Sequence, residues 1–162
     1  MKILSMKTTI FLGAMLSLLV CLMFTGCSNS ETNSTSRGLT DFAHIEEEYL
    51  ATIDSLNWPD GIALPDKLED EDTGASFQVG YGETRASYLW EYSWMKWLDT
   101  YNTDPERAEK ALEELEKAFD MPYMGIDRCD DATRNYLREN IDKAKLGDPS
   151  GFTESIRANY AN

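Results

Sequence analysis

The residues of this 162-residue chain whose types and spacing could do chemistry are mostly carboxylates. Glu69-Asp70-Glu71-Asp72-Thr73-Gly74 has the density of a calcium loop. Placing Gly74 at the turn glycine puts Glu69, Glu71 and Thr73 at the first three ligand positions. Gly80 then falls where a bidentate glutamate is required, so the pattern fails and a solvated acidic loop is the expectation. Glu83 and Glu91 are candidate proton donors for a hydrolase if either sits in a cleft with a raised pKa. Ser93-Trp94-Met95-Lys96 matches a bare S-x-x-K string without the S-D-N and K-T-G elements that must accompany it. Gly80-Tyr81-Gly82-Glu83-Thr84-Arg85 has Arg85 where a dinucleotide loop needs its third glycine, and no βαβ pattern surrounds it. The single histidine, His44, excludes a multi-histidine metal centre. These residues imply no catalytic assignment, no metal and no cofactor.

Charge narrows the partners. The net charge is −14, which excludes a general nucleic-acid binder because phosphates demand a basic face. From Leu39 to Asp120 there are 6 basic and 21 acidic residues, whereas from Met121 onward there are 6 and 7. A protein or cationic partner is therefore expected at the first three helices and the loop between the first two. Within that loop, Trp58, Asp70, Glu71, Asp72 and Tyr81 form the candidate binding surface, with Trp58 expected to be its exposed aromatic.

The elements that must position these residues are helices. Phe42, Ile45, Tyr49, Ile53 and Leu56 recur at spacings of three and four, predicting a helix from Asp41 to Leu56. Consecutive residues on it point about 100° apart, so Glu46, Glu47 and Glu48 are expected on a solvated face. A second helix, Glu83 to Tyr101, gathers Trp90, Trp94, Trp97, Leu98 and Tyr101 on one stripe, expected to be core, with Tyr92 and Lys96 opposite. Asp104 and Pro105 start a third helix that runs to Phe119. A fourth spans Asp131 to Leu146, with Gly147 as its stop. A fifth follows Ser150, with Phe152, Ile156 and Tyr160 inward. Between the first two helices, Trp58-Pro59-Asp60-Gly61 predicts a turn, and Phe77, Val79 and Tyr81 alternate as a strand would. Ile62 and Leu64 read as a second short strand.

The N-terminus reads as an address. Lys2 and Lys7 precede an apolar run from Ile10 to Phe24, broken only by Gly13 and Ser17. Such a run reaches roughly 22 Å as helix, short of a ~30 Å hydrocarbon core, as in an export signal. It ends in Phe24-Thr25-Gly26-Cys27, which resembles the lipobox of bacterial lipoproteins. Thr25, Gly26 and Cys27 match that pattern; Phe24 stands where leucine is usual. The resemblance implies cleavage before Cys27 and a diacylglyceryl group on its thiol. Ser28 to Ser36 holds only Ser, Thr and Asn apart from Glu31, a composition that cannot bury apolar surface and serves as a tether. Cys129 is then the lone thiol of the domain, expected as a small buried hydrophobe. The Trp-rich helix, the Ala/Leu/Glu helix and the closing Gly147-Asp148-Pro149-Ser150-Gly151-Phe152 stretch look like uncharacterised extracytoplasmic proteins of actinobacteria and related Gram-positive bacteria. That resemblance implies no activity.

The expected organisation is a signal peptide over 1–26, a lipidated Cys27 with a tether over 27–38, and one all-α domain over 39–162. That domain is read as about five helices around a Trp-rich central helix, with a long ordered loop. The expected role is a membrane-anchored surface binding or accessory module facing the extracytoplasmic side. The alternatives are a hydrolase of envelope polymers through Glu83 or Glu91, and a small-ligand carrier with a cavity between the Trp stripe and the third helix.

Overall fold

The structure, a computed structural model, describes residues 38–160. The expected signal peptide, Cys27 and the expected tether up to residue 37 lie outside the described residues. The described chain is an all-α bundle with one short strand pair: β1 (Leu39–Thr40), α1 (Phe42–Ser55), β2 (Phe77–Gln78), α2 (Tyr81–Tyr101), α3 (Pro105–Glu116), α4 (Asp131–Lys145) and α5 (Ser150–Tyr160).

Aspartates set three of the helix starts. Asp41, Asp104 and Asp130 each accept from the main-chain N–H three residues on, at 3.0, 3.2 and 2.7 Å. Each thereby satisfies one amide that the helix itself leaves unpaired. Helix α3 tightens into a 3-10 turn over Lys117–Asp120, so its α-helical part ends earlier than Phe119. A second 3-10 turn, Pro122–Met124, buries Tyr123 and Met124; nothing in the periodicity marked it.

Helix α2 begins at Tyr81, two residues before the expected start, and the reason is tertiary. The Glu48 carboxylate on α1 accepts from the main-chain N–H of Gly80 at 2.7 Å and of Gly82 at 3.1 Å. A carboxylate from one helix thus caps the next, where the positive end of the dipole favours it. Gly80 takes a left-handed φ of 86° to enter the helix, and a Cβ on Gly82 would lie 1.8 Å from the Ile45 carbonyl oxygen. The backbones of α1 and α2 therefore touch. The expected solvated face of Glu46 to Glu48 is corrected accordingly. Glu46 also turns inward, accepting from the Leu68 N–H at 3.3 Å, and only Glu47 is left exposed.

The second strand is also corrected. Phe77 and Gln78 pair antiparallel with Thr40 and Leu39, and Ile62 and Leu64 form no strand. The Val79 N–H donates to the Gly38 carbonyl at 3.0 Å, extending the ladder by one bond. The start of the domain thus folds back over the end of the long loop.

Two apolar clusters make the core. One packs Trp90, Trp94 and Leu98 of α2 against Ala111, Leu112 and Leu115 of α3, Leu137 and Ile141 of α4, and Phe152 of α5. The other joins Ile45, Tyr49 and Ile53 of α1 with Leu68 and Ala86. Helix α5 docks closely on α4, because a Cβ on Gly151 would meet Asn140 Oδ1 at 2.1 Å. Among the described residues no helix is long and apolar enough to cross a membrane.

Candidate functional site

The site begins with a carbonyl. Trp90 and Trp94 both donate their indole N–H to the Asn57 carbonyl oxygen, at 2.8 and 3.0 Å. The Asn57 amide donates to Glu114 Oε1 at 2.7 Å, and Lys117 Nζ binds the same oxygen at 2.7 Å. The residue just past α1 is thereby fastened to α2 and α3, and the chain beyond it must run alongside them. Trp58 locks this corner from the other side, donating its N–H to the Ile53 carbonyl at 2.9 Å and packing on both core clusters. The expectation of an exposed Trp58 is corrected: it is half-buried and structural.

The fastened loop leaves two adjoining clefts. One, of about 400 Å³, lies between the loop at Pro59–Ala63 and α2, whose Tyr92, Ser93, Lys96 and Thr100 line it. The other, of about 580 Å³, lies between α2 and α3 and is lined by Glu106, Arg107 and Lys110. Asp60, Gly61, Trp97 and Tyr101 line both. Gly61 has a left-handed φ of 82°, which lets the loop turn at the shared wall.

The Trp stripe is therefore not all core. Trp90, Trp94 and Leu98 are buried, whereas Trp97 and Tyr101 are half-buried and face the clefts. Their ring centroids are 4.4 Å apart at 54°. The Arg107 guanidinium lies 4.3 Å from the Tyr101 ring centre and 5.8 Å from that of Trp97. Lys96 sits 5.9 Å from the Tyr92 ring, and Lys110 sits 5.7 Å from that of Trp94. These are cation–π distances, so the rings help to place the cations. Acids meet two of them: Asp104 lies 3.4 Å from Arg107 and Asp60 lies 3.8 Å from Lys110. The Trp97 N–H is enclosed and has no hydrogen-bond partner, a state that costs about 1–3 kcal/mol.

The acidic loop residues lie elsewhere and only partly converge. Tyr81 Oη donates to Glu71 Oε1 at 2.8 Å, and Arg85 Nε lies 3.4 Å from the same oxygen. Asp72 accepts from the Gly74 N–H at 2.9 Å, and Asp70 holds a left-handed φ of 66°. Asp70 and Asp72 are exposed. Among the described residues no three His, Cys, Asp or Glu side chains converge as a metal cage.

Glu83 and Glu91 line neither of the two clefts. Glu83 forms an ion pair with Arg128 at 2.9 Å. Glu91 faces the second 3-10 turn, where Tyr123 Oη meets its Oε2 at 2.5 Å. Burial pushes the Glu91 carboxyl above the usual carboxylate range, while the Tyr123 hydrogen bond pulls the other way. Cys129, nearby, is buried, and that burial pushes its thiol up.

The residues that sequence reasoning passed over as a site are Asp60, Lys96, Trp97, Tyr101, Arg107 and Lys110. One signal pointed to them: Lys96, Arg107 and Lys110 are three of the six cations in a strongly acidic stretch, and they flank the aromatic stripe. The fold and these clefts define a small all-α bundle with an aromatic groove at one corner. No protein family, curated protein or solved structure matches the chain.

Proposed function

We propose that the chain is a membrane-anchored extracytoplasmic lipoprotein whose helical domain is a binding module, with its ligand site in the paired clefts around Trp97. The anchor half rests on Lys2, Lys7, the apolar run and Thr25-Gly26-Cys27. The binding half rests on one observation: Trp97 and Tyr101 line two adjoining clefts beside Lys96, Arg107 and Lys110. Concave sites with aromatic walls and a few convergent polar groups are where ligands settle. On this reading the ligand lies along the Pro59–Ala63 loop, α2 and α3. The candidate surface moves away from Trp58 and Asp70–Asp72, since Trp58 is used in packing and Glu71 and Tyr81 satisfy each other.

The two halves have separate tests. Cys27→Ala is expected to abolish incorporation of labelled palmitate, and persistent labelling overturns the anchor. A photo-crosslinking residue at Thr100, on the cleft wall, is expected to form a defined adduct in the native cell. The same residue at the exposed Glu139 of α4 should form none. Absence of an adduct at position 100, or equal adducts at both positions, overturns the binding site.

A further inference from the structure

Resting on that reading of the clefts, we infer that their ligand is an acidic oligosaccharide, a chain of pyranose rings bearing carboxylates. Three observations converge on this class. The first is charge. Residues 39–120 carry 21 acids and 6 cations, yet three of those cations, Lys96, Arg107 and Lys110, sit at one corner. Asp60 and Glu106 line the same clefts and Asp104 pairs with Arg107, so cations and acids nearly balance there, and an anion is repelled less than the overall charge of this stretch would dictate.

The second is the walls. Tyr92, Trp97 and Tyr101 line the clefts, with Arg107 over the Tyr101 ring. The apolar C–H face of a pyranose can lie on such rings while its carboxylate reaches a cation beside them. Thr100, also on the wall and exposed, donates its hydroxyl proton to the Lys96 carbonyl at 2.8 Å. Its oxygen is left as an acceptor, which suits a sugar hydroxyl donor. A peptide of acidic residues alone would use the cations but brings no ring face to lie on the aromatic walls.

The third is the contact between Asp60 and Lys110. At 3.8 Å, with Asp60 82% exposed, this ion pair is weak and screened. Asp60 lines both clefts, so its carboxylate stands where a ligand carboxylate would bind Lys110. A ligand exchanges one carboxylate for another there, and Asp60 acts as an internal competitor.

The test is a titration of the purified full-length protein, followed by calorimetry, with oligogalacturonate and hyaluronan hexasaccharides. The controls are the methyl ester of the galacturonate hexamer, which has the same rings without charge, and a glutamate hexapeptide. At least one acidic hexasaccharide is expected to bind, with the ester and the peptide each at least tenfold weaker. Lys96→Met combined with Lys110→Met should weaken binding at least tenfold, while Asp60→Asn should tighten it two- to threefold. Circular dichroism confirms that each variant is folded. No binding of either saccharide, equal binding of the ester, or equal binding of the peptide overturns the inference. If the Thr100 adduct forms but the acidic saccharides do not bind, the ligand class is wrong and the site stands; if neither occurs, both fall.

Discussion

Tyr123 Oη lies 2.5 Å from Glu91 Oε2, joining a buried tyrosine to a carboxyl whose pKa is raised by burial. The same burial, with the Glu91 charge, raises Tyr123. A carboxyl raised in the folded state favours folding below its unfolded pKa, and that contribution is lost as pH rises through the folded value. Glu91→Gln keeps an acceptor for Tyr123 and removes the buried charge. It is expected to stabilise the domain by about 1 kcal/mol at pH 8, with the gain vanishing toward pH 4. Urea denaturation across that range measures it; a gain independent of pH would contradict the assignment.

The Trp stripe should divide energetically as it divides spatially. Trp94→Ala opens a cavity in the core and should cost about 3–5 kcal/mol. Trp97→Ala truncates a half-buried ring and also removes an unpaired N–H, so its cost should be smaller by at least about 1 kcal/mol. Thermal unfolding compares the two. Equal losses would return Trp97 to the core and weaken the case for a site.

The seam between α1 and α2 should tolerate no side chain at residue 82. A Cβ there meets the Ile45 carbonyl oxygen at 1.8 Å, so Gly82→Ala must push the helices apart. Overpacking of this kind costs about 1–3 kcal/mol or more. Glu48→Ala removes the carboxylate that caps α2 and should cost about 1–2 kcal/mol. Glu47→Ala, one residue away and exposed, should change stability by less than about 0.5 kcal/mol. The contrast between adjacent glutamates is the measurement.

Cys129 should behave as packing, not as a nucleophile. Its thiol is buried and its pKa is raised, first by that burial. At pH 8 the native protein should react with a thiol reagent at least tenfold more slowly than the urea-unfolded chain. Comparable rates would show an exposed thiolate.

Much of the fold was legible because it is written locally. Apolar residues spaced by three and four marked five helices, and Asp104 with Pro105 marked where the third of them starts. These are interactions between residues a few positions apart, and they hold whatever the rest of the chain does. The start of α2 was less sharp, because its cap comes from Glu48, more than thirty residues earlier. The strand partner was missed for the same reason: alternation predicts a strand but not what it pairs with.

The site was legible only in its parts. Sequence placed Trp97 and Tyr101 on a stripe with Trp90 and Trp94, since periodicity assigns a face but not its depth. It drew attention to Glu71 and Tyr81, but not to the fact that they bind each other. Which end of the stripe is covered and which faces a groove depends on where α3 and the Pro59–Ala63 loop come to rest. That in turn depends on Asn57, whose carbonyl holds two indoles and whose amide holds Glu114. By itself, then, the sequence determined the helices, the local cap of the third and the acidity of the first three. The tertiary structure decided which acids are buried, which aromatics are exposed and which cations meet, because each depends on residues far apart in the chain being brought within a few ångströms.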